Sequence, residues 1–295
     1  MKKTSFWMLM LLLGLSCALW TGCSDDDDDT KKDDTEMPPV AKDSLWVVNT
    51  IKINSVEAGR EGFYKQVDLK RDAAGVVTEI KMGNYTPKGQ NGAPVVYPVQ
   101  FEAGKVTIAF NDPNAGDMIN LYTLNAKGYV TNVKRSYTDG LVEVEYSFKY
   151  DEKDQLKEID ALADMDEDGV NEEIPFFTTT YVANGNLGNC MLAPDQGEGA
   201  VMGNCALSGL NNNYSFDLNL MLLTNLGFYS ADLVECAVYL GLLPKTPNVL
   251  ASVKVEGLPD FVITSGVKEK RIESLKMTGF CDMVLTTVLK ETEKK

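Results

Sequence analysis

The sequence predicts a mainly all-β protein: an antiparallel meander that forms a curved open sheet or a partly closed barrel, with a short two-helix insert. Three observations predict this fold. One strand has a two-residue period, turn signals recur along the chain, and one apolar segment has helical spacing. Hairpin follows hairpin from Leu45 onward, which is the pattern of a meander.

The clearest strand alternates polar residues with Val142, Val144, Tyr146, Phe148 and Tyr150. A period of two predicts one buried face and one solvent face. Less regular strands are predicted for residues 46–53, 64–69, 95–101, 106–110 and 275–289. The turn signals between strands are Ala103-Gly104, Asn184-Gly185 and Ser265-Gly266.

A weak internal repeat marks several of these turns. Asp or Asn follows the incoming strand, Gly stands three places later, and two apolar residues then follow at a spacing of three. The Asx side chain starts the turn and the glycine supplies a positive φ. The copies start at Arg71-Asp72, Leu124-Asn125 and Tyr150-Asp151. In the third copy Asp154 replaces glycine, and we expect it to take a left-handed conformation, which Asp tolerates. A shortened copy at residues 182–190 places Cys190 at an apolar position, which predicts a buried, inert thiol.

One segment departs from the β pattern. Residues 215–226 carry apolar side chains at helical spacing and stop at Gly227, and Ser230 can cap a second helix that Gly241 ends. We expect this insert, at about residues 215–241, to cover an open end or face of the sheet. A membrane-lying helix is less favoured, because the polar face lacks Lys and Arg.

The first residues predict a signal peptide over residues 1–22. Lys2 and Lys3 are basic, and residues 6–20 form an apolar stretch that is shorter than a membrane span. Small residues precede Cys23, which fits a lipobox, so we expect the Cys23 thiol to carry a lipid. The alternative is an ordinary signal peptide with a leftover cysteine.

Residues 24–44 are polar and charged, which predicts a disordered tether. The acidic run at residues 25–29 resembles the surface-export signal of lipoproteins in one group of Gram-negative gut bacteria. This resemblance implies an exported outer membrane lipoprotein that faces the medium. The alternative is a solvated spacer on the periplasmic side. We expect residues 45–292 to form a single β-rich domain.

Composition excludes several functions. Asp plus Glu number 43 against 28 Lys plus Arg, a formal net charge of −15, so nucleic-acid binding is not expected. The chain has no His, which excludes Ser-His-Asp and Cys-His catalysis and the common zinc hydrolase sites. Beyond Cys17 and Cys23, the cysteines permit two disulfides, in any of three pairings, or buried thiols: Cys190, Cys205, Cys236 and Cys281.

The tyrosine–aspartate turns resemble the YD-type repeats of Rhs proteins. The order of strand–turn repeats, helical insert, Leu-Gly-x-x-x-Pro stretch and closing hairpins resembles a domain-of-unknown-function family of exported gut-bacterial lipoproteins, described as porin-like. The matching residues are Phe216-Asp217-Leu218-Asn219, Leu240-Gly241-Leu242-Leu243-Pro244 and Arg271-Ile272-Glu273-Ser274-Leu275. The resemblance covers roughly residues 45–289 and implies a fold but no catalytic residues. A membrane pore is not expected, because the chain is polar and has its own lipid anchor.

An acidic loop predicts a calcium site. Carboxylates at alternate positions followed by Gly169 resemble the first half of an EF-hand loop, although the twelfth position is Pro175. The predicted ligands are Asp164, Asp166, Asp168, Val170 and Glu172. We expect such a calcium to be structural, and calcium is the only cofactor the sequence suggests. The alternative is an acidic, solvated hairpin turn.

These observations predict a non-enzymatic surface module that binds or displays a ligand, such as a glycan or a partner protein, or that acts as a scaffold. The alternative is a carboxylate-based hydrolase such as a glycosidase, with two acids about 5–10 Å apart on the concave face of the sheet.

Overall fold

The computed structural model describes residues 45–54, 60–112, 115–163, 171–192, 201–224, 231–257, 259–278 and 281–290. Within them, antiparallel strands β1 to β16 form a closed barrel in which each strand pairs with its sequence neighbours and β1 pairs with β16. The all-β prediction is confirmed, and the sheet closes on itself through the pairing of β1 with β16. Among the described residues, no helix is long and apolar enough to cross a membrane.

The strands are β1 (Leu45–Asn54), β2 (Tyr64–Arg71), β3 (Val77–Thr86), β4 (Gly89–Glu102), β5 (Lys105–Asp112), β6 (Gly116–Leu124), β7 (Val130–Tyr137), β8 (Val142–Tyr150), β9 (Leu156–Ala163), β10 (Glu172–Tyr181), β11 (Leu187–Leu192), β12 (Val201–Asn211), β13 (Asn248–Lys254), β14 (Phe261–Lys268), β15 (Arg271–Met277) and β16 (Cys281–Lys290). The helices α1 (Leu218–Thr224) and α2 (Ala231–Tyr239) lie between β12 and β13.

The barrel wall follows the alternation that the sequence of β8 predicts. Tyr146 and Phe148 are buried, whereas Lys149 lies on the outer face, where its Nζ is 3.1 Å from a carboxylate oxygen of Glu158 on β9. Because successive side chains of a strand point to opposite faces, the inner face of this strand is apolar and its outer face carries charged side chains.

The repeated turns all connect an even-numbered strand to the next strand, so they share one end of the barrel, which we call the tight-turn end. In the first repeat, the Val76 N–H donates to the Asp72 carboxylate at 2.9 Å, and Gly75 has a φ of 84°. Asp154 takes the same left-handed conformation, with a φ of 61°. The prediction for Asp154 is therefore confirmed.

The two helices form a hairpin inside the barrel. Every residue of α1 is buried. Asp217 caps α1 by accepting a 2.8 Å hydrogen bond from the Leu220 N–H. At the end of α2, Gly241 has a φ of 70°, and the Leu242 N–H donates to the Ala237 carbonyl.

Strand side chains reach α2 across the lumen. The Tyr122 hydroxyl on β6 donates to the Leu233 carbonyl at 3.1 Å, and Arg135 on β7 pairs with Asp232. On the β2 side, Lys65 pairs with Glu235. The helices therefore cover the inner face of the sheet, which agrees with the expectation that they cover an end or face of it. A barrel of this many strands has a wide interior, and the helices fill it.

Two sequence predictions about strand boundaries are wrong. Ser265-Gly266 is not a turn: it lies within β14, and the turn follows at Glu269 and Lys270, whose φ angles are 50° and 65°. Gly266 instead marks a register shift where a Cβ would lie 2.3 Å from the Ser274 Oγ. Residues 275–289 are not one strand, since β15 ends at Met277 and β16 begins at Cys281.

Candidate functional site

The barrel wall opens slightly between β1 and β2 at the tight-turn end. These strands pair only over residues 50–54 of β1. Nearer the end, the segment before α1 takes the place of β2: the Trp46 N–H donates to the Asn213 carbonyl at 3.0 Å, and the Ser215 N–H donates to the Trp46 carbonyl at 2.8 Å. The first half of β1 therefore has a different neighbour from the second half.

A pocket of about 440 Å³ lies at this opening, within the range of about 300–1,000 Å³ typical of small-molecule sites. Its apolar wall is formed by Leu45, Val47, Val76, Val77, Phe101 and Leu240. Arg71, Gly75 and Ser215 complete the lining. One guanidinium thus stands among mainly apolar side chains.

Arg71 bridges the separated strands through neutral acceptors. Its Nη1 donates to the Gly75 carbonyl at 3.0 Å, and its Nη2 donates to the Val48 carbonyl at 3.1 Å and to the Ser215 Oγ at 3.4 Å. Its Nε–H is buried without a hydrogen-bond acceptor. Burial lowers the pKa of the Arg71 guanidinium, and no carboxylate in the described part of the chain offsets this effect. Arginine nevertheless stays charged at neutral pH.

The internal repeat shows that Arg71 is unusual at its position. The incoming strand of each repeat has a register shift just before the turn, and the residues at that place are Arg71, Leu124, Tyr150 and Tyr181. Leu124, Tyr150 and Tyr181 pack against the hydrophobic core. The sequence analysis missed Arg71. The available signal was a charged residue at a position where the other copies of the repeat carry a large apolar or aromatic residue.

A second polar cluster lies inside the lumen around α2. The Arg135 Nε donates to the Asn120 side chain at 2.9 Å, and its Nη2 pairs with Asp232. Burial alone would lower the pKa of Arg135, but the Asp232 carboxylate raises it overall. Burial raises the pKa of Tyr97, whose hydroxyl lies 3.4 Å from Asp232. These groups fix α2 to the wall.

The other luminal acids also have structural partners. Glu235 pairs with Lys65 and accepts from the Tyr239 hydroxyl at 3.5 Å. Asp217 accepts from the Thr246 hydroxyl at 2.7 Å in addition to capping α1. These carboxylates therefore hold the helices in place.

Half of the predicted site residues fall outside the described part of the chain. These are Cys23, Asp164, Asp166, Asp168 and Val170. Glu172 is described and begins β10. Among the described residues, no group of three His, Cys, Asp or Glu side chains forms a metal site. The calcium loop therefore stays a prediction.

Two of the predicted cysteines lie together. Cys190 is fully buried on β11, Cys205 is half-buried on β12, and their Sγ atoms are 3.4 Å apart. The hydrogen bond between the two thiols, together with burial, raises the pKa of Cys190. Cys236 is buried in α2, where burial raises its pKa. Cys281 begins β16, and its side chain is not among those that the structure describes.

No known family model matches the sequence, and no characterised protein matches it by sequence. Two solved structures match its fold. A porin-like protein from Bacteroides uniformis ATCC 8492 aligns at 14% identity and a TM-score of 0.59, over 84% of this chain and 97% of that chain. The chain has a porin-like fold. A porin-like protein from Bacteroides vulgatus ATCC 8482 aligns at 13% identity and a TM-score of 0.50, over 81% of this chain and 98% of that chain. At these identities, the porin-like barrel is what the proteins share.

Proposed function

We propose that this protein is an exported outer membrane lipoprotein, anchored through Cys23 and exposed on the surface, whose porin-like barrel is a non-enzymatic binding module. The observation that carries this proposal is the pocket beside Arg71. It combines a concave apolar wall with a half-buried guanidinium, which is the usual composition of a small-molecule site.

The filled lumen supports a binding role for the barrel rather than a conducting one. Leu220, Met221 and Val234 from the helices have no exposed surface, and Tyr122 and Ile159 from the wall have none either. An interior packed in this way resembles a protein core, which excludes water. The pocket at the tight-turn end is instead open to solvent at Val76 and Phe101, which are 40% and 43% exposed.

The surface location rests on the lipobox at Cys23 and the acidic run at residues 25–29. The similarity to porin-like proteins of gut bacteria fits an association with the outer surface. A glycan or protein partner and a structural calcium at residues 164–172 remain parts of the proposal that rest on sequence alone.

The contacts inside the barrel disfavour the hydrolase alternative. A glycosidase needs one carboxyl group that donates a proton and a second that acts as base or nucleophile. Asp232 and Glu235 are paired with Arg135 and Lys65, and Asp217 is a helix cap. None of these three acids is free for such a role.

Metabolic labelling with a palmitate analogue tests the anchor. We expect label on the wild-type chain, none on a Cys23→Ala variant, and digestion of the wild-type barrel when intact cells are treated with protease. Equal label on both chains would overturn the lipid anchor. Complete protection of the labelled chain until the outer membrane is opened would overturn the surface location.

A further inference from the structure

Resting on the proposed binding function, we propose that the Arg71 pocket takes a small amphipathic anion, a carboxylate on an apolar body. Arg71 would bind the carboxylate, and the wall formed by Val76, Phe101 and Leu240 would cover the apolar part.

Among the residues that the structure describes, Arg71 has no carboxylate partner. A cation moved out of water is costly unless an opposite charge or a set of hydrogen bonds replaces its hydration. Arg71 receives neutral acceptors at Nη1 and Nη2, while its Nε–H has none. A carboxylate in the pocket would supply the opposite charge and accept a charge-assisted hydrogen bond from the guanidinium, which is stronger than a hydrogen bond to a neutral acceptor.

Bridging two neighbouring strands at this position does not require a charged side chain. At the equivalent places in the repeat, the chain uses Leu124 and Tyr150, which pack against the core. The Tyr150 hydroxyl reaches the Val130 carbonyl of the neighbouring strand, as Arg71 reaches the Val48 carbonyl. A neutral side chain can therefore bridge strands here, and the charge of Arg71 is left for a ligand.

We expect the pocket to select anions that have an apolar tail. The chain carries a formal net charge of −15, so its field repels small hydrated anions. The apolar wall supplies attraction that does not depend on this field, because burying apolar surface is favourable in itself. We therefore expect a ligand that has both an anionic head and an apolar tail, rather than acetate or inorganic phosphate.

A carboxylate from the chain itself must be distinguished from that of a ligand. Asp43 stands two residues before Leu45, which lines the pocket, and its carboxylate could serve Arg71 instead. An Asp43→Asn variant separates the two sources of carboxylate.

The experiment titrates the chain from Ser24 onward with decanoate and follows tryptophan fluorescence. All barrel strands lie within residues 45–290. Trp7 and Trp20 precede Ser24, so Trp46 is the only tryptophan in the chain from Ser24 onward. It stands between Leu45 and Val47 of the pocket wall. We expect a saturable change with decanoate, binding at least about tenfold weaker with decanol, and no change with acetate.

Matched variants locate the site. Val76 and Val142 are both 40% exposed, but Val76 lines the pocket and Val142 lies at the start of β8, at the other end of the barrel. Val76→Glu places a competing carboxylate beside Arg71 and should weaken decanoate binding at least about tenfold, while Val142→Glu leaves it unchanged. Arg71→Met, checked for folding by circular dichroism, should bind decanoate no better than decanol.

The ligand proposal is overturned if decanol binds as tightly as decanoate, if both glutamate variants behave alike, or if decanoate binds only after Asp43→Asn. Decanoate binding that is the same in wild type and Asp43→Asn supports it. These outcomes are independent of the lipid label and protease exposure on cells, which report on the proposed function whether or not decanoate binds.

Discussion

The Sγ atoms of Cys190 and Cys205 lie 3.4 Å apart on neighbouring strands β11 and β12. A disulfide needs about 2.05 Å between the sulfurs, so a small side-chain adjustment brings them to bonding distance. Both thiols are free in the structure. We predict that oxidised glutathione converts them to a disulfide, releasing two molecules of reduced glutathione. Closing this 15-residue separation should raise the free energy of unfolding by about 3 kcal/mol.

Thiol alkylation after unfolding, read by mass spectrometry, checks this pairing. Oxidised wild type should lose the alkylation of Cys190 and Cys205 and keep that of Cys236. A Cys236→Ser variant should still form the bond, and Cys205→Ser should not. A peptide linking Cys236 to Cys281 would contradict the prediction.

The Arg135–Asp232 pair holds α2 against the wall. Asp232→Ala leaves the guanidinium, whose side chain is 10% exposed, without its main partner. We expect the free energy of unfolding to fall by about 2 kcal/mol, because a buried charged group loses a hydrogen bond while Glu143, 3.8 Å away, compensates in part. The exposed pair between Lys70 and Glu79 serves as the control, and Lys70→Ala should cost under about 1 kcal/mol in a urea melt. Equal losses in the two variants would show that the luminal pair does not hold the helix.

The glycines of the repeated turns test the backbone argument. Gly128 has a φ of 82°, and a Cβ added there meets no atom within 4 Å, so Gly128→Ala changes backbone strain alone. We expect it to lower the free energy of unfolding by about 1 kcal/mol. Gly209 has equally open surroundings but no positive φ, so Gly209→Ala should cause no loss. The prediction fails if the two alanine variants have the same urea midpoint.

Buried tyrosines predict a loss of stability at alkaline pH. Burial raises the pKa of Tyr214 to about 12 and also raises the pKa values of Tyr97, Tyr122, Tyr150 and Tyr181. The ordinary value of about 10 applies in the unfolded chain, so the folded state favours the neutral phenols. Their contribution to stability is fully present below about pH 10 and is lost as the pH rises through about 12. At about pH 11, tyrosinate absorbance should increase sharply when urea is added. Complete ionisation of all 12 tyrosines before unfolding would refute this.

Local chemistry explains what the sequence predicted correctly. The left-handed Asp154, the capping Gly241 and the buried face of β8 depend on residues close in sequence, so their patterns were readable. The Ser265-Gly266 prediction failed because a glycine at a bulge and a glycine at a turn look alike in sequence. Which of them occurs is decided by the approach of Ser274 from the next strand.

Tertiary arrangement explains what was missed. Two amphipathic helices can pack on the outside of a sheet or inside a closed one, and only the closure of β1 onto β16 decides between these places. The Arg71 pocket unites β1, the turn after β2, the end of β4 and both ends of the helical insert. Because these segments are distant in sequence, no local motif predicts the pocket.

A crystal structure of the chain from Ser24 onward with decanoate tests the central claim most directly. We predict density for the carboxylate within hydrogen-bonding distance of the Arg71 guanidinium, with the alkyl chain along Val76 and Phe101 and with α1 and α2 filling the lumen. Decanoate bound elsewhere, or the pocket occupied by the residues that precede Leu45, would contradict it.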